Sequence, residues 1–85
     1  MEVIYKSEAL KDIDYWKKSG NKVVQNRITE LINDICLHPF SGIGKPEPLK
    51  FNLSGCWSRR ITQEDRLVYT VVEGQIHILS LKGHY

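Results

Sequence analysis

A short stretch in the middle of the chain carries residue types that could act on a phosphodiester. Glu47 lies between Pro46 and Pro48, and the two proline rings hold this segment in an extended, stiff conformation. Arg60 and Arg66 follow it, and one guanidinium group can donate to two oxygens of a phosphate. A carboxylate fixed near guanidinium groups is suited to phosphate chemistry.

Cleavage of RNA without a metal ion needs a base, a cationic site and an acid. The base removes the proton of the 2′-hydroxyl, the cations stabilise charge on the phosphate, and the acid protonates the leaving 5′-oxygen. Glu47 is the candidate base, and Arg60 and Arg66 are the candidate phosphate ligands. His84 is the candidate acid, because imidazole exchanges protons near neutral pH.

Each of these residues also has a purely structural interpretation. Glu47 could be a solvated charge on a loop, and Arg66 could pair with Glu64 or Glu47. Arg59 and Arg60 are adjacent, so in a strand their side chains point to opposite faces and at most one joins the site. The other would pair with an acidic residue or extend to solvent. The histidine of the set is the penultimate residue, where chain ends commonly fray.

Other kinds of chemistry find little support in the sequence. No Cys or His pair has the spacing of metal ligands, and no glycine-rich loop leads into a helix as a phosphate-binding loop does. Cys36 and Cys56 are far apart and fit free thiols in a reducing cytosol. We therefore expect no metal, no cofactor and a cytoplasmic location.

Length and composition predict one globular domain over residues 1–85. The chain is 41% hydrophobic and 26% charged, which is ordinary for a folded domain. No apolar run is long enough to span a bilayer, and the first residues lack the pattern of a signal peptide, so no membrane association is expected. The net charge of +2 arises after Leu37 and hints weakly at a polyanionic partner.

The N-terminal half is predicted to form a strand and two helices. Residues 2–5 are rich in strand-forming residues. A first helix starts at Glu8 with Ser7 as its cap, and a second follows Asn21 as its cap. Apolar residues recur at helical spacing along both helices, and Pro39 ends the second.

The C-terminal half is predicted to be a loop followed by three strands. Residues 40–55 lack a clear period and are expected to form a long ordered loop. Strands then cover residues 56–62, 65–72 and 75–82, and Glu73-Gly74 makes a tight hairpin turn. The order β-α-α-β-β-β predicts an α+β fold in which a helical hairpin covers one face of the sheet.

Two motifs together are specific enough to suggest a family. They are Lys-Pro-Glu-Pro-Leu-Lys at residues 45–50 and Trp-Ser-Arg-Arg-Ile at residues 57–61. With Arg66-Leu-Val-Tyr69 and the terminal His84-Tyr85, the chain resembles the YoeB toxins of bacterial toxin–antitoxin pairs, within the RelE/ParE superfamily. The resemblance covers essentially the whole chain and implies helices packed on an antiparallel-dominated sheet.

The resemblance also implies an activity and its residues. YoeB toxins are mRNA endonucleases that cut messenger RNA in the A site of the 70S ribosome. By matching motif, Glu47 is the general base, Arg66 stabilises the transition state and His84 is the general acid. Supporting contacts to phosphate and base fall to Lys50, Arg60 and Tyr85.

The same resemblance implies partners and leaves alternatives open. A cognate antitoxin similar to YefM would silence the toxin, and toxins of this family often form homodimers. Gly83 stands where the family commonly carries a bulky residue, and a glycine there is expected to loosen the tail that positions His84. A non-enzymatic ParE-like module that acts by docking, or an inert member that only binds, stays an alternative.

Overall fold

A helical hairpin packs on one face of a five-stranded sheet. The computed structural model describes residues 1–83, and His84 and Tyr85 lie outside the described residues. The elements in chain order are β1 (Glu2–Tyr5), α1 (Ser7–Ser19), α2 (Lys22–Leu37), β2 (Glu47–Pro48), a 3₁₀ turn (Phe51–Leu53), β3 (Trp57–Arg60), β4 (Arg66–Val72) and β5 (Gln75–Ser80).

The sheet has the order β1-β5-β4-β3-β2 and is mostly antiparallel. Only the pairing of β1 with β5 is parallel among the strands of residues 1–83. Glu73 and Gly74 join β4 to β5 with φ angles of 49° and 78°, the left-handed pair that a two-residue type I′ turn requires. The predicted α+β fold, the antiparallel-dominated sheet and this turn are confirmed.

The core forms between the helices and one face of the sheet. Residues of α2 at helical spacing are buried, from Val24 through Leu31 to Ile35. They lie in one cluster with Leu67 and Tyr69 of β4. Alternation along β4 therefore places these two side chains on the helix side and their neighbours on the other face, as the period of two predicts, although Val68 on that face is also buried.

The two helix starts differ from each other in how they are capped. Asn21 caps α2, since its side chain accepts a hydrogen bond from the Val24 amide at 3.1 Å, as predicted. The prediction that Ser7 caps α1 is wrong. Lys6 occupies that position without a side-chain bond, and Ser7 is the first helical residue.

The segment predicted as a loop contains a short strand that the sequence did not reveal. Within residues 40–55, β2 pairs with β3 through Glu47 opposite Ser58 and Pro48 opposite Trp57. Two residues cannot display an alternating period, and proline is typical of an edge strand rather than a central one. The predicted loop therefore contributes a fifth strand of two residues, β2, to the edge of the sheet.

The chain after β5 is attached to α1. The Asp12 carboxylate accepts a hydrogen bond from the Leu81 amide at 2.8 Å, and the Trp16 indole donates to the Leu81 carbonyl at 2.8 Å. Asp12 and Trp16 lie one helical turn apart, so both face Leu81, whose side chain is fully buried. No helix in the described part of the chain is both long and apolar enough to cross a membrane.

The two helix starts allow a paired test of capping. Asn21→Ala is expected to lower the free energy of unfolding by about 0.5–2 kcal/mol, because it removes the acceptor for the Val24 amide. Ser7→Ala is expected to change it by less than about 0.5 kcal/mol, since Ser7 does not cap α1. Urea unfolding followed by circular dichroism measures both. Equal losses in the two variants would contradict the assignment.

Candidate active site

Strand register brings Glu47, Arg60 and Arg66 to one face of the sheet. Glu47 lies opposite Ser58, and Arg60 lies opposite Arg66. Ser58 and Arg60 are two residues apart on β3 and therefore point to the same side. This face is the one turned away from the helices, so three of the predicted site residues share a surface that substrate can reach.

The adjacent arginines of β3 point in opposite directions, as predicted. Arg59 is fully buried on the helix side and forms an ion pair with Asp34 at 2.6 Å. Arg60 is exposed on the other side. Arg59 is thus a structural cation inside the core, whereas the Arg60 side chain is accessible to a ligand.

Arg60 and Arg66 form a like-charged pair directly across two strands. Such a pair is unfavourable for the sheet itself, because opposed side chains of neighbouring strands lie only about 5 Å apart at Cβ. The ion pairs of residues 1–83 are Lys18–Asp14, Arg27–Glu30 and Arg59–Asp34, so no described carboxylate neutralises this pair. The suggested pairing of Arg66 with Glu64 or Glu47 is wrong. An anion such as phosphate would complement the two charges.

The guanidinium group of Arg66 is fixed by the turn that precedes it. One terminal nitrogen, Nη1, donates to the carbonyls of Thr62, Gln63 and Asp65 at 2.9, 3.1 and 3.2 Å. The turn between β3 and β4 therefore orients the Arg66 side chain. An arginine held at one nitrogen can present its other nitrogens to a phosphate without first losing rotamer freedom.

Glu47 and Lys50 are exposed at the edge of the same sheet. Glu47 lies on β2, and Lys50 directly precedes the 3₁₀ turn. In residues 1–83 neither side chain takes part in a hydrogen bond or ion pair. The Glu47 carboxylate and the Lys50 ammonium group therefore make no side-chain contact of these kinds that stabilises the described part of the fold.

The loop that leads to Glu47 is held by the buried side chain of Arg59. Its Nη1 donates to the Asp34 carboxylate and to the Ile43 carbonyl at 2.9 Å. Its Nη2 donates to the carbonyls of His38 and Ser41. A single guanidinium group therefore binds three carbonyls of the loop that follows α2.

Tyr69 and Asp34 complete the surroundings of Arg59. The Tyr69 hydroxyl donates to the Pro39 carbonyl and accepts from Arg59 Nε at 3.3 Å. Burial raises the pKa of Tyr69, which keeps this donor protonated. The hydrogen bond from Arg59 lowers the pKa of Asp34, which keeps the buried cation paired with a charged carboxylate.

Two glycines let the same loop pass close to α2. A Cβ atom at Gly42 would lie 2.1 Å from Asp34 Oδ2, and one at Gly44 would lie 2.6 Å from Leu31 Cδ2. The Gly44 carbonyl accepts a hydrogen bond from the Arg60 amide at 2.7 Å. This close approach brings the chain to the edge of β3, where β2 and Glu47 begin.

The C-terminal segment reaches the site at Gly83. The Gly83 amide donates to Asp65 Oδ1 at 2.8 Å, and its carbonyl accepts from the Arg66 amide at 2.8 Å. Both backbone groups of Gly83 are therefore hydrogen-bonded. The expectation that a glycine here loosens the tail concerns the residues that follow it and stays a prediction. His84 and Tyr85 follow it outside the described residues, and their assigned roles stay predictions.

Comparison with known proteins identifies the family. The profile of the YoeB-like toxins of bacterial type II toxin–antitoxin systems matches residues 5–85. The chain belongs to the YoeB family. It is 48% identical to Toxin YoeB of Escherichia coli K12 over 85 residues, which cover the whole of both chains. The family suggested by the two motifs is confirmed.

Solved structures of YoeB toxins have the same fold. The YoeB/ParE toxin from Agrobacterium tumefaciens superimposes with a TM-score of 0.94 at 34% identity, with full coverage of both chains. YoeB from Staphylococcus aureus has been solved in complex with YefM, with a TM-score of 0.89 at 43% identity. It has also been solved as a dimer, with a TM-score of 0.90 at 42% identity. Both cover 100% of this chain and 98% of the other.

The sequence did not reveal how the YoeB-family site is supported. Asp34, Tyr69 and Asp65 hold the loop, the buried arginine and Gly83, and the sequence predicted none of these contacts, although Tyr69 belongs to one of the family motifs. One signal was available, because Asp34 lies beside Leu31 and Ile35 of the buried stripe of α2. An acidic residue next to such a stripe suggests a buried cationic partner. Among residues 1–83 no cluster of three or more His, Cys, Asp or Glu could hold a metal ion.

Removal of the Arg59 side chain is expected to destabilise the whole domain. Arg59→Met should lower the free energy of unfolding by about 3–5 kcal/mol, because it leaves a charged carboxylate and three loop carbonyls without their donor. The double variant Arg59→Met/Asp34→Leu should remain unstable, since the carbonyls still lack a donor.

The matched control is Arg27→Met, which removes an exposed ion pair with Glu30. It is expected to cost less than about 1 kcal/mol. Chemical unfolding of the three variants measures the difference. Full recovery of stability in the double variant would show that the ion pair, rather than the loop carbonyls, sets the requirement for Arg59.

The depressed pKa of Asp34 predicts a dependence of stability on pH. Because Arg59 holds the folded-state pKa below the ordinary value near 4, the contribution is complete above about pH 5 and is lost as the pH falls through the folded-state value. The stability difference between the wild type and Asp34→Asn should therefore shrink in acid. Asp14→Asn, from an exposed ion pair, is the control. A difference that is constant from pH 7 to pH 3 would refute the linkage.

Proposed function

We propose that this YoeB-family toxin is a ribosome-dependent mRNA endoribonuclease. It cleaves messenger RNA at the A site by metal-independent general acid–base transesterification and so blocks translation. The observation that carries the proposal is the common exposed face of Glu47, Arg60 and Arg66, with the two arginines directly opposed. A like-charged pair costs the fold stability, and a phosphate ligand accounts for its presence.

The reaction assigns one role to each charged group. The Glu47 carboxylate removes the proton of the 2′-hydroxyl, and the 2′-oxygen forms a bond to phosphorus. Arg66 and Arg60 stabilise the charge on the non-bridging oxygens. The bond to the 5′-oxygen breaks, and His84 gives that oxygen a proton. The products are a 2′,3′-cyclic phosphate end and a 5′-hydroxyl end.

The position of Glu47 suits a general base. Its carboxylate is exposed on an edge strand, and no cation of residues 1–83 lies within ion-pair distance. A base must accept a proton from substrate, and a carboxylate already paired with a fixed cation would be a weaker one. The edge position also leaves the β2 side of the face open to a bulky substrate.

The supporting roles are assigned by position and motif. Lys50 lies three residues after Glu47, and Arg60 lies on β3 two residues from Ser58, the partner of Glu47. Both are exposed cations and would contact phosphates on either side of the cleaved bond. Tyr85, which lies outside the described residues, would contact a base or phosphate. Its role and that of His84 rest on the motif shared with the YoeB family.

The ribosome would provide most of the substrate positioning. The charged groups of this face suit phosphate and 2′-hydroxyl, and such contacts orient RNA without reading its sequence. Preset geometry can contribute a large part of a rate enhancement. We therefore propose the 70S ribosome with its bound mRNA as the substrate, which also makes the cytoplasm the site of action.

The protein partners follow from the solved YoeB structures. YoeB of Staphylococcus aureus is described in complex with YefM and as a dimer. We propose that a YefM-like antitoxin binds and silences this chain, and that the free toxin forms a homodimer. No cofactor is required by the proposed reaction.

Primer extension on mRNA programmed into purified ribosomes tests the function. The wild type should produce a cut at the A-site codon, and free mRNA should be cut poorly. Glu47→Gln and His84→Ala should each slow cleavage by about 10²–10⁴-fold, because each removes a proton-transfer group. Glu73→Gln, at the far end of β4 from Arg66, should cleave at the wild-type rate.

The outcomes separate the proposal from its alternative. If both Glu47→Gln and His84→Ala cleaved at the wild-type rate, the roles assigned to Glu47 and His84 would be refuted. A folded wild type that binds ribosomes without cutting would favour the ParE-like alternative, in which the toxin acts by docking. Efficient cleavage of free mRNA would refute the dependence on the ribosome.

A further inference from the structure

The amide and the carbonyl of Gly83 are both hydrogen-bonded. Their partners are Asp65 and Arg66, which are consecutive in the chain. Asp65 Oδ1 accepts from the Gly83 amide, and the Arg66 amide donates to the Gly83 carbonyl, each at 2.8 Å. Gly83, the last described residue, is therefore hydrogen-bonded to the backbone of Arg66, an arginine of the candidate active site. Such a two-point contact restricts rotation as well as distance.

Asp65 also organises the turn that holds the Arg66 side chain. Its Oδ2 accepts from the Thr62 hydroxyl at 2.8 Å, and its carbonyl accepts from the amides of Ile61 and Thr62 at 3.0 and 3.2 Å. Within this turn, the carbonyls of Thr62, Gln63 and Asp65 accept hydrogen bonds from Arg66 Nη1. One residue thus connects the phosphate-binding guanidinium group with the C-terminal segment.

The segment before Gly83 is fixed independently from the other side. Asp12 and Trp16 of α1 bind the amide and the carbonyl of Leu81. Residues 81 and 83 are consequently held by two different parts of the fold, and Asp65 supplies the side-chain contact at the residue that precedes His84. Loss of Asp65 would leave the contact with α1 in place.

The conformation at Gly83 explains why a glycine can occupy this position. Its φ angle is +74°, which glycine adopts without strain, and a Cβ atom would meet no heavy atom within 4 Å. The backbone conformation, rather than lack of space, favours glycine.

We propose that Asp65 is a positioning residue for the cleavage reaction. Its carboxylate fixes Gly83, the residue that precedes His84 in the chain, and orders the turn whose carbonyls bind the Arg66 guanidinium group. The proposal rests on the proposed function and names a residue that acts on the substrate only through its neighbours. A shift of about 1 Å in a reacting group can cost 10²-fold in rate.

Single-turnover cleavage on mRNA-programmed ribosomes tests this role. Asp65→Ala should slow cleavage by about 10- to 100-fold at saturating ribosomes, with ribosome affinity within about twofold of the wild type. Asp65→Asn should recover most of the rate, because its amide oxygen can still accept from the Gly83 amide. Glu73→Ala, from the β4–β5 turn, should behave as the wild type.

Hydrogen exchange provides a readout that does not depend on activity. In Asp65→Ala the Gly83 amide should exchange at least about tenfold faster than in the wild type, while the amides of β4 keep their protection. Gly83→Ala should also slow cleavage through its strained φ angle. The double variant should be no slower than the slower single variant, because both changes disturb one contact.

The results separate this proposal from the proposed function. A wild type that does not cleave would refute the proposed function and would leave the exchange measurement as the test of the contact. A wild-type rate in Asp65→Ala, or strictly additive losses in the double variant, would overturn the positioning role. A loss of ribosome affinity that accounts for the whole effect would overturn it as well.

Discussion

The structure depends on the buried guanidinium group of Arg59. A cation without contact with water is tolerable only when it is neutralised and its donors are satisfied, and here a carboxylate, a tyrosine hydroxyl and three backbone carbonyls do this. Those carbonyls belong to the loop between α2 and β2, which has few buried apolar side chains of its own. The path of the chain toward Glu47 is therefore set by polar contacts inside the core, and these contacts support the exposed face that carries the candidate site.

Strand β3 carries one buried and one exposed arginine. Arg59 points into the core, where each of its nitrogens is bonded, and Arg60 points outward, where it opposes Arg66. Alternation along a four-residue strand thus separates stability from ligand binding without any intervening residue. Repulsion between Arg60 and Arg66 on the outer face is tolerated because the inner face stabilises the fold. It does so through the ion pair of Arg59 with Asp34 and through the apolar cluster.

Local patterns predicted most of the fold, and long-range polar contacts could not be predicted. The stripe of α2, the Asn21 cap, the Glu73-Gly74 turn and the two faces of β4 all follow from spacing or turn chemistry. The short strand β2 escaped because two residues next to prolines show no period. The partners of Arg59 lie up to 25 positions away and those of Gly83 lie 17 and 18 positions away, so spacing does not indicate them. Motif resemblance indicated the candidate catalytic residues, whereas the residues that position them are evident only in the folded chain.

The order of strands in the sheet has a consequence for biosynthesis. β1 is made first, but its neighbour in the sheet, β5, is made near the end, and the residues that fasten to α1 and Asp65 follow later still. A nascent chain that has not yet left the exit tunnel of the ribosome therefore cannot pair its first strand or anchor its C-terminal segment. The sheet therefore cannot close until β5 and the residues after it have emerged, because each residue of β1 pairs with a residue 73 positions later in the chain.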